Sequence, residues 1–490
     1  MKNLKIFMVG LFAILFTGCE QDLQPVNFDE INPSIFPASE ADVEAILASV
    51  YHPLRGSWWD GIHSTSERGI MFVLDATTEI LHGGFGVQLS ASVHSYNPTT
   101  TGIVFYYDWY HNKISRMTLS IDRIEKSDVN ENVKKQGIAE IRCARALLCY
   151  ELFDMYGPLV VAPLEVLQNP LIEAPLARLS HEDMVNFIEA DLIAAAEDLQ
   201  SPADTPYGRF SQGMARMLLI RLYLHEKRWA DVEEQANAIM DMNHYELEED
   251  YVGLWGLEAP VDSKEVIWAI PADYAGTSEN QWQLMVLPEN YPGRGGWSTI
   301  QSTWMFYDSF EANDIRKTML IAEYTGTDGI TYNRSNTGTN IQYGPIPLKI
   351  ATDQDRNTGL TTVDMIIYRY ADVLLSKAEA LANKTGTPGQ EAIDLVNIVR
   401  DRAQLDPLDL ADYSDIDAFN EMILVERSHE YWCENGQYRA DLIRHNKYTE
   451  HANLLHGAAS ESADYKNVFP FSLERISEGK GEFKQNPKYN

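Results

Sequence analysis

Apolar residues recur at helical spacing along most of this chain, most openly between Tyr368 and Arg402. Ala371, Val373, Leu374, Ala378, Ala380 and Leu381 make one stripe; Thr385-Gly386-Thr387-Pro388-Gly389 interrupts it, and Ile393, Val396, Ile398 and Val399 start another. The pattern predicts a helix hairpin. Its small residues Ala371, Ala378 and Ala380 let a partner helix approach closely, and Lys377, Glu379 and Asp394 are expected on the solvated side.

The same periodicity predicts helices over Ser39 to Leu54, Ile70 to Leu81, Tyr106 to Glu125, Asn130 to Met155, Ser180 to Leu199, Ser211 to His225, Trp229 to Asn243 and Ile416 to Glu434. Ser180 with Asp183 is a helix-start signal, and Gly157-Pro158 a stop. Paired helices of this length with short breaks point to a right-handed stack packed like tetratricopeptide repeats, although the repeat signature itself is not legible. Between Tyr251 and Asp364 the pattern gives way to Gly, Pro, Asn, Thr and aromatics. A short strand is expected over Lys264 to Ile270 and a hairpin over Tyr324 to Tyr343. The Trp and Tyr content of this long loop region argues against disorder and for function. The fold class is therefore mostly α, with a loop-rich half carrying few short strands.

At 490 residues, with 45% hydrophobic and 11% aromatic residues, the chain has ample material for a core. A formal net charge of −33 opposes binding to a polyphosphate, so no nucleic-acid partner is expected. At the N-terminus Lys2 and Lys5 precede an apolar run from Ile6 to Phe16 that is too short to span a bilayer, and Phe16-Thr17-Gly18-Cys19 closes it. This reads as an export signal over residues 1–18. The Gly-Cys ending resembles a bacterial lipobox, with Phe16 where Leu is usual, which implies lipidation of Cys19 and a membrane anchor. Glu20 and Asp22 resemble the acidic tag that sends lipoproteins of the Bacteroidetes type to the cell surface. Residues 19–37 then form a polar tether, and 38–490 the folded domain. Cys143 and Cys149 lie about 9 Å apart along one predicted helix, beyond disulfide reach, and with Cys433 are expected to be core residues.

Five segments in order resemble the SusD/RagB family of outer-membrane nutrient-binding lipoproteins. YRYADVLLSKAEALA followed by AIDLVNIVRDRA is similar to that family's helix pair, and ILVERSHEYWCENGQYRADLIRHNKY to its Glu-Arg block. GIAEIRCARALLCYELFDMYGPLVVAP and GRFSQGMARMLLIRLYLHEKRWADV resemble its earlier helices, and FKQNPKYN its ending, with Lys488 in place of Gly. Ser428 and His429 stand where the family often has Arg. The resemblance implies four helix pairs like tetratricopeptide repeats supporting a loop-rich half, ligand binding mainly over 251–364, and no catalysis. It implies a surface lipoprotein that captures oligosaccharides, or peptides in the RagB manner, for a partner SusC-like TonB-dependent transporter.

Enzyme motifs agree with that by their absence. The chain has no Gly-x-Ser-x-Gly, no phosphate-binding Gly-x-x-x-x-Gly-Lys, no His-Glu-x-x-His and no cysteine pair at zinc spacing, so no catalytic residue, cofactor or metal is expected. His63, His82 and His94 are the nearest approach to a histidine cluster, and scattered histidines are usually structural. Asp75 and Glu79, one helical turn apart, do not flank a substrate bond as an acid/base pair must. Glu379, Arg400, Glu426, Arg427, Glu430, Arg439 and Asp441 are expected to pair with one another within the scaffold.

The sharper functional signal is aromatic. A pyranose exposes C–H bonds on its faces, and a Trp or Tyr ring in a loop offers a flat, partly negative surface for them, with Asn, Asp, Arg or Gln reading the hydroxyls. Trp58 and Trp59 in a Gly-flanked loop, and Trp282, Tyr291 and Trp297 among Gln281, Gln283, Asn290 and Arg294, are the candidate ligand-binding residues. Tyr274 and Trp255 join them. Trp109, Trp229, Trp268 and Trp432, on regular elements, are expected to pack in the core.

Overall fold

The structure is a computed structural model that describes residues 36–489, apart from 57–60, 67, 85, 170, 173–174, 258–260, 262, 274–277, 354–358 and 414. Ten helices organise it: α1 (Glu40–Tyr51), α2 (Thr101–Lys126), α3 (Glu131–Tyr156), α4 (His181–Asp198), α5 (Gln212–His225), α6 (Trp229–Met240), α7 (Tyr370–Thr385), α8 (Gln390–Arg402), α9 (Ile416–Tyr431) and α10 (Gln437–Arg444). Their ends follow from local chemistry. Ser39 accepts a hydrogen bond from the Asp42 backbone N–H while Asp42 accepts one from that of Ser39, a reciprocal cap for α1. Asn130, Ser180, Ser211 and Asp415 cap α3, α4, α5 and α9 in the same sense. Gly157 (φ +73°) and Gly386 (φ +76°) end α3 and α7 in a conformation that costs glycine least.

Each helix from α2 to α7 packs on the next, α1 lies on α3, and α9 joins α7 to α10. Ala371, Ala378 and Ala380 are fully buried at these contacts. Cys143, Cys149 and Cys433 are free thiols in the core. Among the described residues no helix is long and apolar enough to cross a membrane.

Eight short strands form four antiparallel pairs among the described residues. β1 (Leu81–Gly83) pairs β3 (Ile300–Ser302), β2 (Val266–Ile270) pairs β8 (Met365–Arg369), β4 (Leu320–Ile321) pairs β7 (Ile346–Pro347), and β5 (Tyr324–Thr325) pairs β6 (Thr331–Tyr332). The expected strand and hairpin are thus β2 and β5–β6. Tyr368 and Arg369 belong to β8 rather than to the helix that follows. The helix expected over Ile70 to Leu81 stops at Asp75, because the Thr77 and Thr78 hydroxyls donate to the Leu74 and Asp75 carbonyls and turn the chain into β1.

Lys377 and Glu379 are buried, contrary to the solvated side expected from their helix alone. Arg444 donates to Glu379 through Nε (2.7 Å) and Nη2 (2.8 Å), and His445 Nε2 lies 2.8 Å from it. Burial would raise the Glu379 pKa, but these cations outweigh it and hold the carboxyl well below its usual range. The other scaffold charges also pair. Arg427 bridges Asp372 (2.9 Å) and Asp441 (2.7 Å), and Arg439 holds Asp154 (2.8 Å). Arg400 meets Glu426, which with Glu430 receives Arg316 from the loop-rich half. Arg369 holds Glu265, Glu430 and Glu434 at the seam between strands and helices. These buried pairs fasten the irregular half to the helical stack, with a separate core around Trp255, Trp282, Phe306, Ile346 and Trp432.

Candidate functional site

The irregular half sets its most exposed tryptophan, Trp297, on the chain that follows the short helix Trp282–Val286. Gly295 and Gly296 let this chain lie directly on the end of that helix. A Cβ on Gly296 would sit 2.6–2.8 Å from the carbonyl oxygens of Leu284, Gln283 and Leu287. Trp297, Ser298 and Thr299 then donate to the carbonyls of Leu284, Leu287 and Met285 at 2.8–2.9 Å, with Ser298 at φ +46°. Pinned by this backbone, Trp297 is 54% exposed.

Tyr291, half-buried, leads into a row of rings. Its centroid is 5.4 Å from that of Tyr324, which stacks on Tyr332 at 5.2 Å across β5–β6. Polar groups join this row at one end. Asn290 accepts from the Tyr324 hydroxyl (2.9 Å) and from Asn340 (3.0 Å), and donates to Asp328 (2.8 Å), which also accepts from the Tyr332 hydroxyl (2.8 Å). The bond from the Ile330 N–H, followed by those from Tyr332 and Asn290, holds Asp328 below its usual pKa, so it is an anionic acceptor at neutral pH. Burial pushes the Tyr324 hydroxyl up to about 12, where it remains a neutral donor.

The same segment continues to a second aromatic group. Ser298 donates to the Asn340 carbonyl, Gln301 to that of Thr339, and the Tyr343 N–H to the Gln301 side chain. Trp304 receives the Arg334 guanidinium over its ring at 5.0 Å, while that guanidinium makes a two-pronged bond to Asp308. Trp297 and Trp304 thus bracket six residues of chain and are at most about 24 Å apart when it is extended. The region carries exposed and half-buried rings, amides and the carboxylates of Asp308 and Asp328, while Tyr324, only 7% exposed, is a core ring between Tyr291 and Tyr332.

A model of the SusD family matches residues 312–486. A SusD-like protein of Bacteroides ovatus is 22% identical over 439 residues, covering 82% of this chain and 76% of the relative. SusD-like protein P38 of Formosa agariphila is 39% identical over 105 residues, but the match covers only 20% of each chain. Among solved structures, surface glycan-binding protein A from Bacteroides fluxus superposes with a TM-score of 0.74 at 22% identity, covering 92% of this chain and 100% of that one. Residues 312–486 thus belong to the SusD family, and the chain as a whole has a SusD-like fold.

The mostly helical SusD-like fold separates the candidate residues sharply. Trp297 and Tyr291 both lie on the loop-rich half, Trp297 exposed and Tyr291 half-buried against its core. Trp282 is fully buried and stacks on Phe72 at 5.4 Å, so it is a core residue and no platform for a ligand. Trp255 is buried in the same core. Trp58, Trp59 and Tyr274 lie outside the described residues. The chain beside them meets where the Glu279 N–H donates to the Gly56 carbonyl at 2.9 Å. Trp268 and Trp432 are core residues, as expected, and Trp229 is half-buried, but Trp109 is 46% exposed, stacked on Phe105 along the outer face of α2. Tyr332, Asp328 and Asn340 of the network were not among the sequence candidates, and Tyr324 is buried between the rings of Tyr291 and Tyr332. The alternation through the predicted hairpin was the available signal, since Tyr324 and Tyr332 are cross-strand partners.

Asp75 and Glu79 are buried far from any open face. Burial pushes Asp75 up to about 8, and its carboxylate accepts from the Cys433 N–H. Glu79 accepts from the Tyr438 hydroxyl and meets His451. Both serve the scaffold of this SusD-like fold. A groove of about 310 Å³ beside α1, floored by Leu47, Leu54, Trp268 and Ile270, is mostly apolar and lacks the ring-and-amide pattern of the ledge.

Proposed function

We propose that this SusD-like protein is a non-catalytic, lipid-anchored cell-surface protein that captures oligosaccharides and delivers them to a partner SusC-like TonB-dependent transporter. The observation that carries this reading is the exposed Trp297 on a segment that Ser298 ties to Asn340, and so to the Asn290–Asp328 network and the half-buried rings of Tyr291 and Tyr332. Sugar C–H faces stack on such rings, and hydroxyls bond to amides and a carboxylate. An open ledge admits a chain of rings where a closed pocket would admit one. The export signal and Cys19 support surface anchoring, and the glycan-binding name of the Bacteroides fluxus structure supports the ligand class.

Calorimetric titration of purified protein against soluble plant and host glycans tests the proposal. Binding to at least one glycan, without turnover and weakened by Trp297→Ala, is the expected result. Absence of binding across the panel, or salt-sensitive binding of cationic peptides instead, would move the reading to peptide capture in the RagB manner.

A further inference from the structure

Three histidine nitrogens are buried without a hydrogen-bond partner among the described residues: Nε2 of His63, of His82 and of His456. Two of these belong to neighbouring rings. The centroids of His82 and His456 are 5.6 Å apart, at 45°. His82 sits in β1 opposite Gln301 of β3, and His456 ends the helix Tyr448–His456, so the pair joins segments far apart in sequence. Tyr343 covers His82 with its ring centroid at 3.7 Å, which leaves the His82 side chain enclosed.

An imidazole nitrogen hidden from water and lacking a partner forfeits a hydrogen bond, and here two do so side by side. Two imidazoles on one tetrahedral zinc, with Zn–N about 2.0 Å, place their ring centroids about 5 Å apart, close to the spacing here. Both rings are neutral at pH 7, the form that ligates: burial, then repulsion from His456, brings His82 down to about 4, and burial lowers His456. The contrast within the molecule is His181 and His225, whose ring nitrogens both already meet the Glu226 carboxylate at 2.7–2.8 Å.

We propose that His82 and His456 bind a divalent transition-metal ion of the zinc class through their Nε2 atoms, with water admitted from the half-buried helix end at His456 completing the coordination. Nitrogen ligands select this class over calcium or magnesium, which take oxygen. The ion clamps the helix Tyr448–His456 to β1 and so to its partner strand β3, which follows Trp297.

Zn²⁺ titrated calorimetrically into the chelator-stripped full chain tests this, with melting followed in parallel. One site should be weakened at least tenfold by His82→Gln and by His456→Gln and unaffected by His181→Gln, and Zn²⁺ should raise the melting temperature only where both His82 and His456 are present. His456→Gln, at a half-buried helix end, carries the test if His82→Gln does not fold. Equal affinity in the wild type and the His456→Gln variant, loss of the site with His181→Gln, or no Zn²⁺ binding at all would each overturn the proposal.

Discussion

Replacing Trp297 with Ala isolates the ring from the framework that presents it. The side chain is 54% exposed. On a total of about 250 Å² for a Trp, that leaves about 130 Å² accessible, and a sugar lying on one face covers about half. At about 25 cal/mol per Å² the lost contact is worth about 1.6 kcal/mol, or roughly fifteenfold in Kd. Because the ring is mainly outside the core, the melting temperature should barely move. The matched control is Trp109→Ala: that ring is 46% exposed, but it lies against Phe105 on α2, away from the amide network. Titration of the best-binding glycan into both variants decides the matter. Trp297→Ala binding as tightly as wild type, or Trp109→Ala weakening it equally, would refute the argument that the ledge is the site.

Gly296→Ala drives a methyl onto three carbonyl oxygens, so it should destabilise by about 1–3 kcal/mol and weaken glycan binding together, because Trp297 must move with its backbone. Denaturation and titration of the same preparation check both; an unchanged pair of values excludes the tight approach as the cause of the ring's position. Asp75 has a folded pKa of about 8 against 3.8 unfolded, so the fold retains a proton that the unfolded chain releases. Its contribution is complete below the unfolded value and falls away as pH rises toward 8, by about 4 kcal/mol between pH 4 and 7. Asp75→Asn should therefore gain on wild type steadily over that range in urea denaturation, and a constant difference would contradict the assignment. Arg369→Met leaves three buried carboxylates short of a partner and should cost about 3–5 kcal/mol, read as a lower denaturant midpoint; a loss below about 1 kcal/mol would show that Arg402, Arg316 and Lys349 already satisfy them.

The long helices were legible because their causes are local. Apolar spacing, a Ser or Asn cap and a Gly stop lie within a few residues of the elements they define, as at Ser180 and at Gly386. Loop aromatics carry no such record. Trp282 and Trp297 sit 15 residues apart in the same Gly- and Asn-rich stretch, yet one is buried and the other exposed. The difference is Phe72, about two hundred residues earlier, which stacks on Trp282 only after the short helix from Ile70 has docked. Trp109 errs in the opposite direction, since a ring on a regular helix buries itself only if a neighbouring element covers that face.

Charges follow the same rule. That Glu379 and Arg427 would pair was readable from the cost of burying an ion alone, but which ion answers each is decided between helices: Arg444 and His445 reach Glu379 from α10 and the residue after it, and Asp372 reaches Arg427 from α7. The sequence by itself determined the family resemblance, the helical stack and the residue types that populate the loop-rich half. Tertiary structure alone decided which rings face solvent, because exposure depends on which distant segment arrives to cover each side chain, and periodicity records only the near ones.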